Sequence, residues 1–277
     1  MMNKKTKKAV SILLATVLFI GACLLYLGIG NKTLDENRTL TGLFGQELNL
    51  TAHRGFSAVA PENTAPALEE AGKAGFYAAE FDIMPTADGV WILNHNDTVD
   101  KMTDGEGEVA QMTFAEIQTL RIDNGNGIEN YPDLRVTTFE EALAICEQYN
   151  MRAMVEVKGG TPEDMQSMLD VLKASPAYEN ALVIDFDKDR LAAVRSLDEN
   201  IELWYLMNEL DEEKIAFVKE QNMGIAFNFG IAQNYKHLGS AREQGITLAS
   251  WTVDFPPCVD FLRLFGVKYI TTNKIHP

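Results

Sequence analysis

The stretch YAAEFDIMPTADGVWILNH, residues 77–95, decides how the rest of the chain is arranged. Its first part, YAAEFDIM, is an apolar run typical of a buried strand, interrupted by Glu80 and Asp82. After a short turn comes a second apolar run, VWILNH. We expect VWILNH to continue the second strand unit rather than to begin a new one. On that interpretation the chain contains eight strand units.

From Leu48 onward, short apolar runs alternate with amphipathic stretches. The other strand candidates are LNLTAH (48–53), RAMVEVK (152–158), ALVIDF (181–186), ELWYLM (202–207), GIAFNF (224–229), TLASWTV (247–253) and YITTN (269–273). Seven helical candidates lie between them, and Gly or Asn follows several, as in KAGF, QYNM, EQGI and LFGV. Strict alternation of strand and helix predicts a parallel sheet. With eight units, it predicts a closed (β/α)8 TIM barrel over residues 48–277. A dinucleotide fold has no support, because no GxGxxG follows the first strand.

The first 47 residues differ from the barrel sequence. Residues 1–8 contain four lysines, and residues 9–30, AVSILLATVLFIGACLLYLGIG, contain no charge. A stretch of this length predicts a single transmembrane helix with the lysine-rich tail in the cytoplasm. The polar residues 31–47 form a predicted stalk, so the barrel would lie outside the cytoplasm at the cell membrane. A cleaved signal peptide and lipidation of Cys23 are the alternatives, and both also place the barrel outside.

The charge of the chain excludes one class of partner. It has 24 basic and 40 acidic residues, a net charge of −16. Four of the basic residues precede Ala9, so the remainder has 20 basic and 40 acidic residues, a net charge of −20. Such a surface repels nucleic acid, and no protein partner is indicated. An anionic substrate would need local cations for its recruitment.

Three carboxylates mark the expected mouth of the barrel, where the carboxyl ends of the strands meet. Glu80 and Asp82 are two residues apart on one strand, so both side chains face the same way, and Glu156 interrupts the next strand. Carboxylates crowded in a barrel need a counter-charge, and oxygen ligands suit Mg²⁺ or Ca²⁺. The alternative is that they pair with Arg54 or Lys158.

Two of the four histidines lie beside these carboxylates. His53 ends the first strand and His95 ends VWILNH, and imidazoles can act as acid and base near neutral pH. Arg54 carries a planar, permanently charged group that suits a phosphate, and Lys158 adds a second cation. A metal, two cations and two histidines together indicate phosphoryl chemistry.

Residues 48–273 resemble the glycerophosphodiester phosphodiesterase family. The resemblance rests on AHRGFSAVAPENTAPALEEAGKAGFYAAEFDIMPTADGVWILNHNDTVDKMTDGEGEV, on VTTFEEALAI followed by VEVK, and on LASWTVD followed by GVKYITTN. It implies a TIM-barrel enzyme that binds a divalent cation and hydrolyses a glycerophosphodiester to glycerol 3-phosphate and an alcohol. The residues carried over are His53 and His95 as catalytic groups, Glu80, Asp82 and Glu156 as metal ligands, and Arg54, Lys158, Glu62 and Trp251 on the substrate side.

Two departures from the family pattern concern the pocket. The family usually has Asp after the second histidine, where this chain has Asn96, and often has Ser-Phe at the fourth strand, where this chain has Asp185–Phe186. Three questions stay open: the leaving alcohol, the choice between Mg²⁺ and Ca²⁺, and which histidine is the base. Two alternative functions also stay open: a lysophospholipase D-like or cyclising activity on lysolipids, and a degenerate barrel that binds phosphodiesters without turnover.

Overall fold

Eight parallel strands close into a barrel in residues 48–277, the part of the chain that the computed structural model describes. The strands of this part are β1 (Asn49–Ala52), β2 (Ala78–Pro85), β3 (Trp91–Leu93), β4 (Arg152–Val157), β5 (Leu182–Asp185), β6 (Glu202–Met207), β7 (Gly224–Asn228), β8 (Leu248–Trp251) and β9 (Tyr269–Thr272). Every strand except β3 belongs to the barrel, which closes where β1 pairs with both β2 and β9. The predicted TIM barrel is confirmed.

Helices connect the strands on the outside of the barrel. Their bounds are α1 (Ala65–Ala74), α2 (Phe114–Ile117), α3 (Phe139–Gln148), α4 (Met165–Ala174), α5 (Lys188–Leu197), α6 (Glu212–Glu220), α7 (Leu238–Glu243) and α8 (Pro256–Leu264). The seven predicted helices are all present, and α2 is additional. The predicted stops are confirmed as well, since Gly75, Asn150, Gly245 and Gly266 all have positive φ.

Local capping explains where these helices begin. Helix α1 begins at Ala65, because the Thr64 hydroxyl accepts a hydrogen bond from the Ala67 amide and caps the helix there. At α3, Thr138 and Glu141 form a capping box. Both helices therefore begin just after a loop at the mouth of the barrel, the end where the carboxyl ends of the strands meet.

The second strand unit is a hairpin. Strand β3 pairs antiparallel with the end of β2, so that Ile83 faces Leu93 and Pro85 faces Trp91. This confirms that VWILNH extends the second unit rather than adding a ninth strand to the barrel. Because β3 runs back against β2 and the Asn94 amide donates to the Asp82 carbonyl at 3.1 Å, the next residue, His95, lies at the mouth near the end of β2.

Residues 86–137 form a small layer over this side of the barrel. They share an apolar cluster with the end of β2, made of Met84, Ile92, Val99, Met102, Val109, Ile117, Ile122 and Val136. This second core holds the layer in place. The chain segment that follows His95 is therefore a packed structure at the mouth.

The barrel interior is apolar below the predicted carboxylates. Side chains of β4 to β8 fill it as one buried cluster, made of Met154, Leu182, Ile184, Trp204, Leu206, Ala226 and Ala249. On β4, Met154 lies two residues before Glu156, so both side chains face the interior. The carboxylates thus lie on an apolar floor that keeps water away from one side of them.

The predicted membrane anchor, residues 9–30, lies outside the described residues, as do the basic tail and the stalk. Within residues 48–277, no helix has the length and apolar character needed to cross a membrane.

Candidate active site

The buried carboxylates Glu80, Asp82 and Glu156 meet at the mouth. Asp82 on β2 is paired in register with Glu156 on β4, and Glu80 lies two residues before Asp82. Each offers an oxygen within 4.8 Å of the others, although the residues are only 1%, 0% and 8% exposed. Oε1 of Glu80 and Oδ1 of Asp82 are buried without a hydrogen-bond partner. Convergent carboxylate oxygens without partners fit a hard divalent cation.

Burial makes these carboxylates hard to ionise together. Burial raises the pKa of Glu80 well above its usual range, and the charges of Asp82 and Glu156 raise it further. Burial and Asp82 also raise the pKa of Glu156 from 4.5 to about 7, although Lys158, whose Nζ lies 3.0 Å from Glu156 Oε1, lowers it. The cluster therefore needs positive charge beyond Lys158 to stay ionised at neutral pH.

Asn63 orients one member of the cluster. Its Oδ1 accepts from the Asp82 amide at 3.0 Å, and its Nδ2 donates to Asp82 Oδ2 at 2.8 Å. Both contacts require the loop after β1 to turn sharply, and Asn63 has a φ of 56°. Because Oδ2 is occupied in this way, Oδ1 of Asp82 is the oxygen that faces the cluster.

Arg54 lies against the same carboxylates. Its backbone amide donates to Glu80 Oε2 at 2.8 Å, and its Nε lies 3.3 Å from Asp82 Oδ2. Gly55 follows with a φ of 73°, and a Cβ there would approach the Ala67 backbone to 2.6 Å. The alternative from the sequence, pairing of the carboxylates with Arg54 and Lys158, thus occurs alongside the cluster and leaves two of its oxygens without partners.

Lys101 is a cation at the site that the sequence pattern did not reveal. Oε1 of Glu62 accepts both from Arg54 Nη1 at 2.9 Å and from Lys101 Nζ at 2.7 Å. Lys101 belongs to the layer of residues 86–137. It lies within the longest stretch that carries the family resemblance, but it does not end a predicted strand. Only the packing of that layer brings it to Glu62, so sequence spacing alone offered no signal for it.

His53 lies between the carboxylates and the last strand. Its Nδ1 is 2.7 Å from Asn273 Oδ1, and its Nε2 is 3.9 Å from Glu80 Oε2. Burial lowers the pKa of His53, and the charge of Arg54 lowers it further. A neutral imidazole beside the cluster can accept a proton.

His95 and Trp251 complete the predicted set. Nδ1 of His95 lies 2.8 Å from Oδ1 of the adjacent Asn96. The Trp251 indole donates to the Ala226 carbonyl at 3.1 Å and packs edge-on against Phe186, with ring centroids 5.5 Å apart. Phe186 is 40% exposed, so this aromatic pair presents apolar surface at the mouth.

The departure at the fourth barrel strand has a structural explanation. Asp185 is buried and receives two hydrogen bonds from Arg190, at 2.7 and 2.8 Å. Arg190 also donates to the Val157 carbonyl. The carboxylate of Asp185 is therefore engaged in an ion pair that ties β5 to the end of β4, and Phe186 is the neighbour that lies exposed at the mouth.

Comparison with known proteins agrees with this geometry. The model of the glycerophosphoryl diester phosphodiesterase family matches residues 53–276. Glycerophosphodiester phosphodiesterase 1 of Bos taurus is 35% identical over 152 residues, which are 54% of this chain and 46% of the relative. The chain thus aligns with about half the length of that relative. The glycerophosphodiester phosphodiesterase of Caldanaerobacter subterraneus is 27% identical over 80% of this chain and 92% of its own length.

A solved structure shares the fold. A phosphodiesterase of Oleispira antarctica, in complex with the product sn-glycerol-3-phosphate, superposes with a TM-score of 0.77. It is 23% identical, and the match covers 82% of this chain and 93% of that protein.

Proposed function

The chain belongs to the glycerophosphoryl diester phosphodiesterase family, and we propose that it hydrolyses glycerophosphodiesters to glycerol 3-phosphate and an alcohol, using a divalent cation. One observation carries the proposal: the buried carboxylates Glu80, Asp82 and Glu156 converge, and two of their oxygens lack hydrogen-bond partners. Nε2 of His53 lies 3.9 Å from Glu80 Oε2. The relatives named above support the reaction class, and the bound product of the Oleispira antarctica enzyme supports the glycerol phosphate half of the substrate.

Glu80, Asp82 and Glu156 would hold the cation, which is Mg²⁺ or Ca²⁺ on this proposal. When bound, it would polarise the phosphoryl oxygens and neutralise charge in the transition state. Arg54, Lys101 and Lys158 line the same site and would attract the phosphate electrostatically.

The two histidines would move the protons. The 2-hydroxyl of the glycerol attacks phosphorus, and His53 takes its proton because its lowered pKa keeps the ring neutral. As the new phosphorus–oxygen bond forms, the bond to the alcohol breaks and His95 protonates the departing oxygen. Water then opens the cyclic phosphate with the two roles exchanged, giving glycerol 3-phosphate.

The test is hydrolysis of glycerophosphocholine, followed by phosphorus NMR with and without EDTA. We expect glycerol 3-phosphate as the product, loss of turnover in EDTA, and rates at least ~10²-fold lower for His53→Ala and for His95→Ala. His237→Ala is the matched control, because His237 lies on the outer helical layer against Glu212. Near-wild-type turnover by both site variants would exclude the mechanism, and a cyclic phosphate that persists would identify a cyclising enzyme instead.

We further propose that residues 9–30 anchor the protein in the cell membrane with the barrel on the outer side. The support is the charge-free stretch and the four lysines before it. Extraction of membranes with alkaline carbonate and protease treatment of intact cells test this placement. The intact mass of the purified protein shows whether the chain is cleaved or lipidated at Cys23. Release by carbonate, or protection of the barrel from protease, would contradict the proposal.

A further inference from the structure

Two polar residues at the ends of the last barrel strands are linked to His53 by hydrogen bonds. Asp254 comes shortly after β8, and Asn273 follows β9 directly. The Asp254 carboxylate accepts from the Asn273 backbone amide at 2.7 Å, from Asn273 Nδ2 at 2.6 Å and from Thr272 Oγ1 at 3.0 Å. Asn273 in turn contacts His53, which lies 220 residues earlier in the sequence. These contacts join the first, seventh and eighth strands of the barrel.

The chemistry of these contacts determines which way the Asn273 amide faces. An ionised carboxylate can only accept hydrogen bonds, so the NH₂ group of Asn273 must face Asp254. The amide oxygen of Asn273 then faces Nδ1 of His53, at 2.7 Å. The hydroxyl of Ser57 donates to that same oxygen at 3.3 Å, as the orientation requires.

The orientation of the amide decides the tautomer of His53. An amide oxygen can only accept, so Nδ1 of His53 must carry a hydrogen. In the neutral ring the lone pair is then on Nε2, the nitrogen that lies 3.9 Å from Glu80 Oε2 and faces the carboxylate cluster. With the opposite amide orientation, Nδ1 would hold the lone pair and point away from the cluster.

We propose that Asp254 and Asn273 are positioning residues, which hold His53 with its hydrogen on Nδ1 and direct the Nε2 lone pair towards the reacting hydroxyl of the substrate. The proposal deepens the proposed function and rests on it for the identity of the reaction. It also assigns the base: His53 accepts the proton of the attacking hydroxyl through Nε2. Neither positioning residue needs to touch the substrate.

The hydrogen bonds from Asp254 through Asn273 to His53 form a relay. Substitution of Asp254 by Asn would exchange donors and acceptors along this relay while keeping its shape. The amide introduced at position 254 still accepts from the Asn273 backbone through its oxygen, and so turns its NH₂ group towards the Asn273 side chain. The Asn273 side chain must then accept this hydrogen bond through its oxygen. Its own NH₂ group therefore faces His53. Nδ1 must become the acceptor, so the hydrogen moves to Nε2 and the base is lost.

The tautomer is measured directly by nitrogen-15 NMR of the histidine side chains in the purified, metal-free protein. We expect the wild type to carry the hydrogen on Nδ1 of His53 and the Asp254→Asn variant to carry it on Nε2. With metal present, kcat of the variant should fall by about 10²-fold or more, while KM stays near the wild-type value. Thr272→Val is the control, since it removes the hydroxyl that donates to Asp254 and accepts from the amides of Lys274 and Ile275, and it leaves the amide relay intact.

The reciprocal double variant separates positioning from folding. Asp254→Asn combined with Asn273→Asp places a donor at position 254 and restores an acceptor opposite His53, so both the tautomer and kcat should recover. The proposal is overturned if wild-type His53 carries its hydrogen on Nε2, if Asp254→Asn keeps wild-type kcat, or if the double variant regains the tautomer without regaining kcat. The NMR result on the wild type stands whether or not glycerophosphocholine is hydrolysed, so failure of the proposed function is distinguishable.

Discussion

Replacement of Glu156 by Gln should stabilise the metal-free protein at pH 8, although it removes a proposed metal ligand. In the unfolded chain this carboxyl ionises near 4.5, whereas burial and the charge of Asp82 raise its pKa to about 7 in the folded protein. Between these values the folded state binds a proton that the unfolded state has lost. The free energy of unfolding therefore falls as the pH rises through this window.

The size of the effect follows from the two pKa values. The difference between 4.5 and about 7 corresponds to about 3 kcal/mol above pH 7, at about 1.4 kcal/mol per pH unit. This figure already includes the favourable contact of Glu156 with Lys158, whose side chain is 22% exposed and can reach solvent once Glu156 is gone. A Gln side chain does not ionise, so the free energy of unfolding of the variant does not fall in this way as the pH rises. At pH 5 the gain should shrink to under about 1 kcal/mol.

The assay is urea unfolding in EDTA, monitored by tryptophan fluorescence at pH 8 and at pH 5, with Glu243→Gln as the control. Glu243 is an exposed carboxylate at the end of α7, so its replacement should change little at either pH. Added Mg²⁺ or Ca²⁺ should raise the stability of the wild type and not that of Glu156→Gln. A variant that is less stable than the wild type at pH 8, or whose gain is equal at both pH values, would refute the electrostatic reasoning.

Three further perturbations test other parts of the molecule. Burial raises the pKa of Asp198, but hydrogen bonds from Lys173 and others lower it to about 2, so Asp198→Asn should cost about 2 kcal/mol in urea unfolding at pH 7. That difference should disappear as the pH falls through about 2. Leu143→Ala leaves a cavity in the main core and should cost about 3 kcal/mol in the same assay, with kcat unchanged in the folded fraction. Lys101→Met removes a cation from Glu62 and should raise KM by about fivefold at most, without lowering kcat.

Each of these three predictions has an outcome that would contradict it. A loss for Asp198→Asn that is equal at pH 7 and pH 2 would mean that packing, not ionisation, explains the residue. A loss below about 1 kcal/mol for Leu143→Ala would mean that the core closes around the cavity. A fall in kcat for Lys101→Met, with KM unchanged, would place Lys101 in the chemical step rather than in binding.

The fold could be predicted because its signals are local. Apolar runs, amphipathic stretches and helix stops such as Gly75 and Asn150 each occupy a few consecutive residues, and the structure confirms them. The one uncertain point was the run VWILNH, and its pairing with β2 settles the number of barrel strands. The short helix α2 was not predicted, because four residues carry too little periodicity to be recognised.

The site could be predicted only in part. The carboxylate cluster could be predicted because Glu80, Asp82 and Glu156 interrupt apolar strands, where a charged residue is unusual. The hydrogen bonds from Asp254 through Asn273 to His53 were not predicted. Both residues end stretches that carry the family resemblance, but they meet His53 only when the barrel closes, and their spacing in the sequence does not show this contact.

The charge at the mouth links the proposed cation to the proposed substrate. Four carboxylates and three cations are joined there by direct contacts: Glu62, Glu80, Asp82 and Glu156 with Arg54, Lys101 and Lys158. Fully ionised, this set carries one net negative charge, which would repel a phosphodiester. Burial, together with the charges of neighbouring carboxylates, raises the pKa values of Glu80 and Glu156, so protons can offset the excess in the metal-free protein. A divalent cation in place of those protons leaves one net positive charge, the complement of the single negative charge of a phosphodiester. An acidic protein can thus bind an anion, provided that its carboxylates first bind a metal.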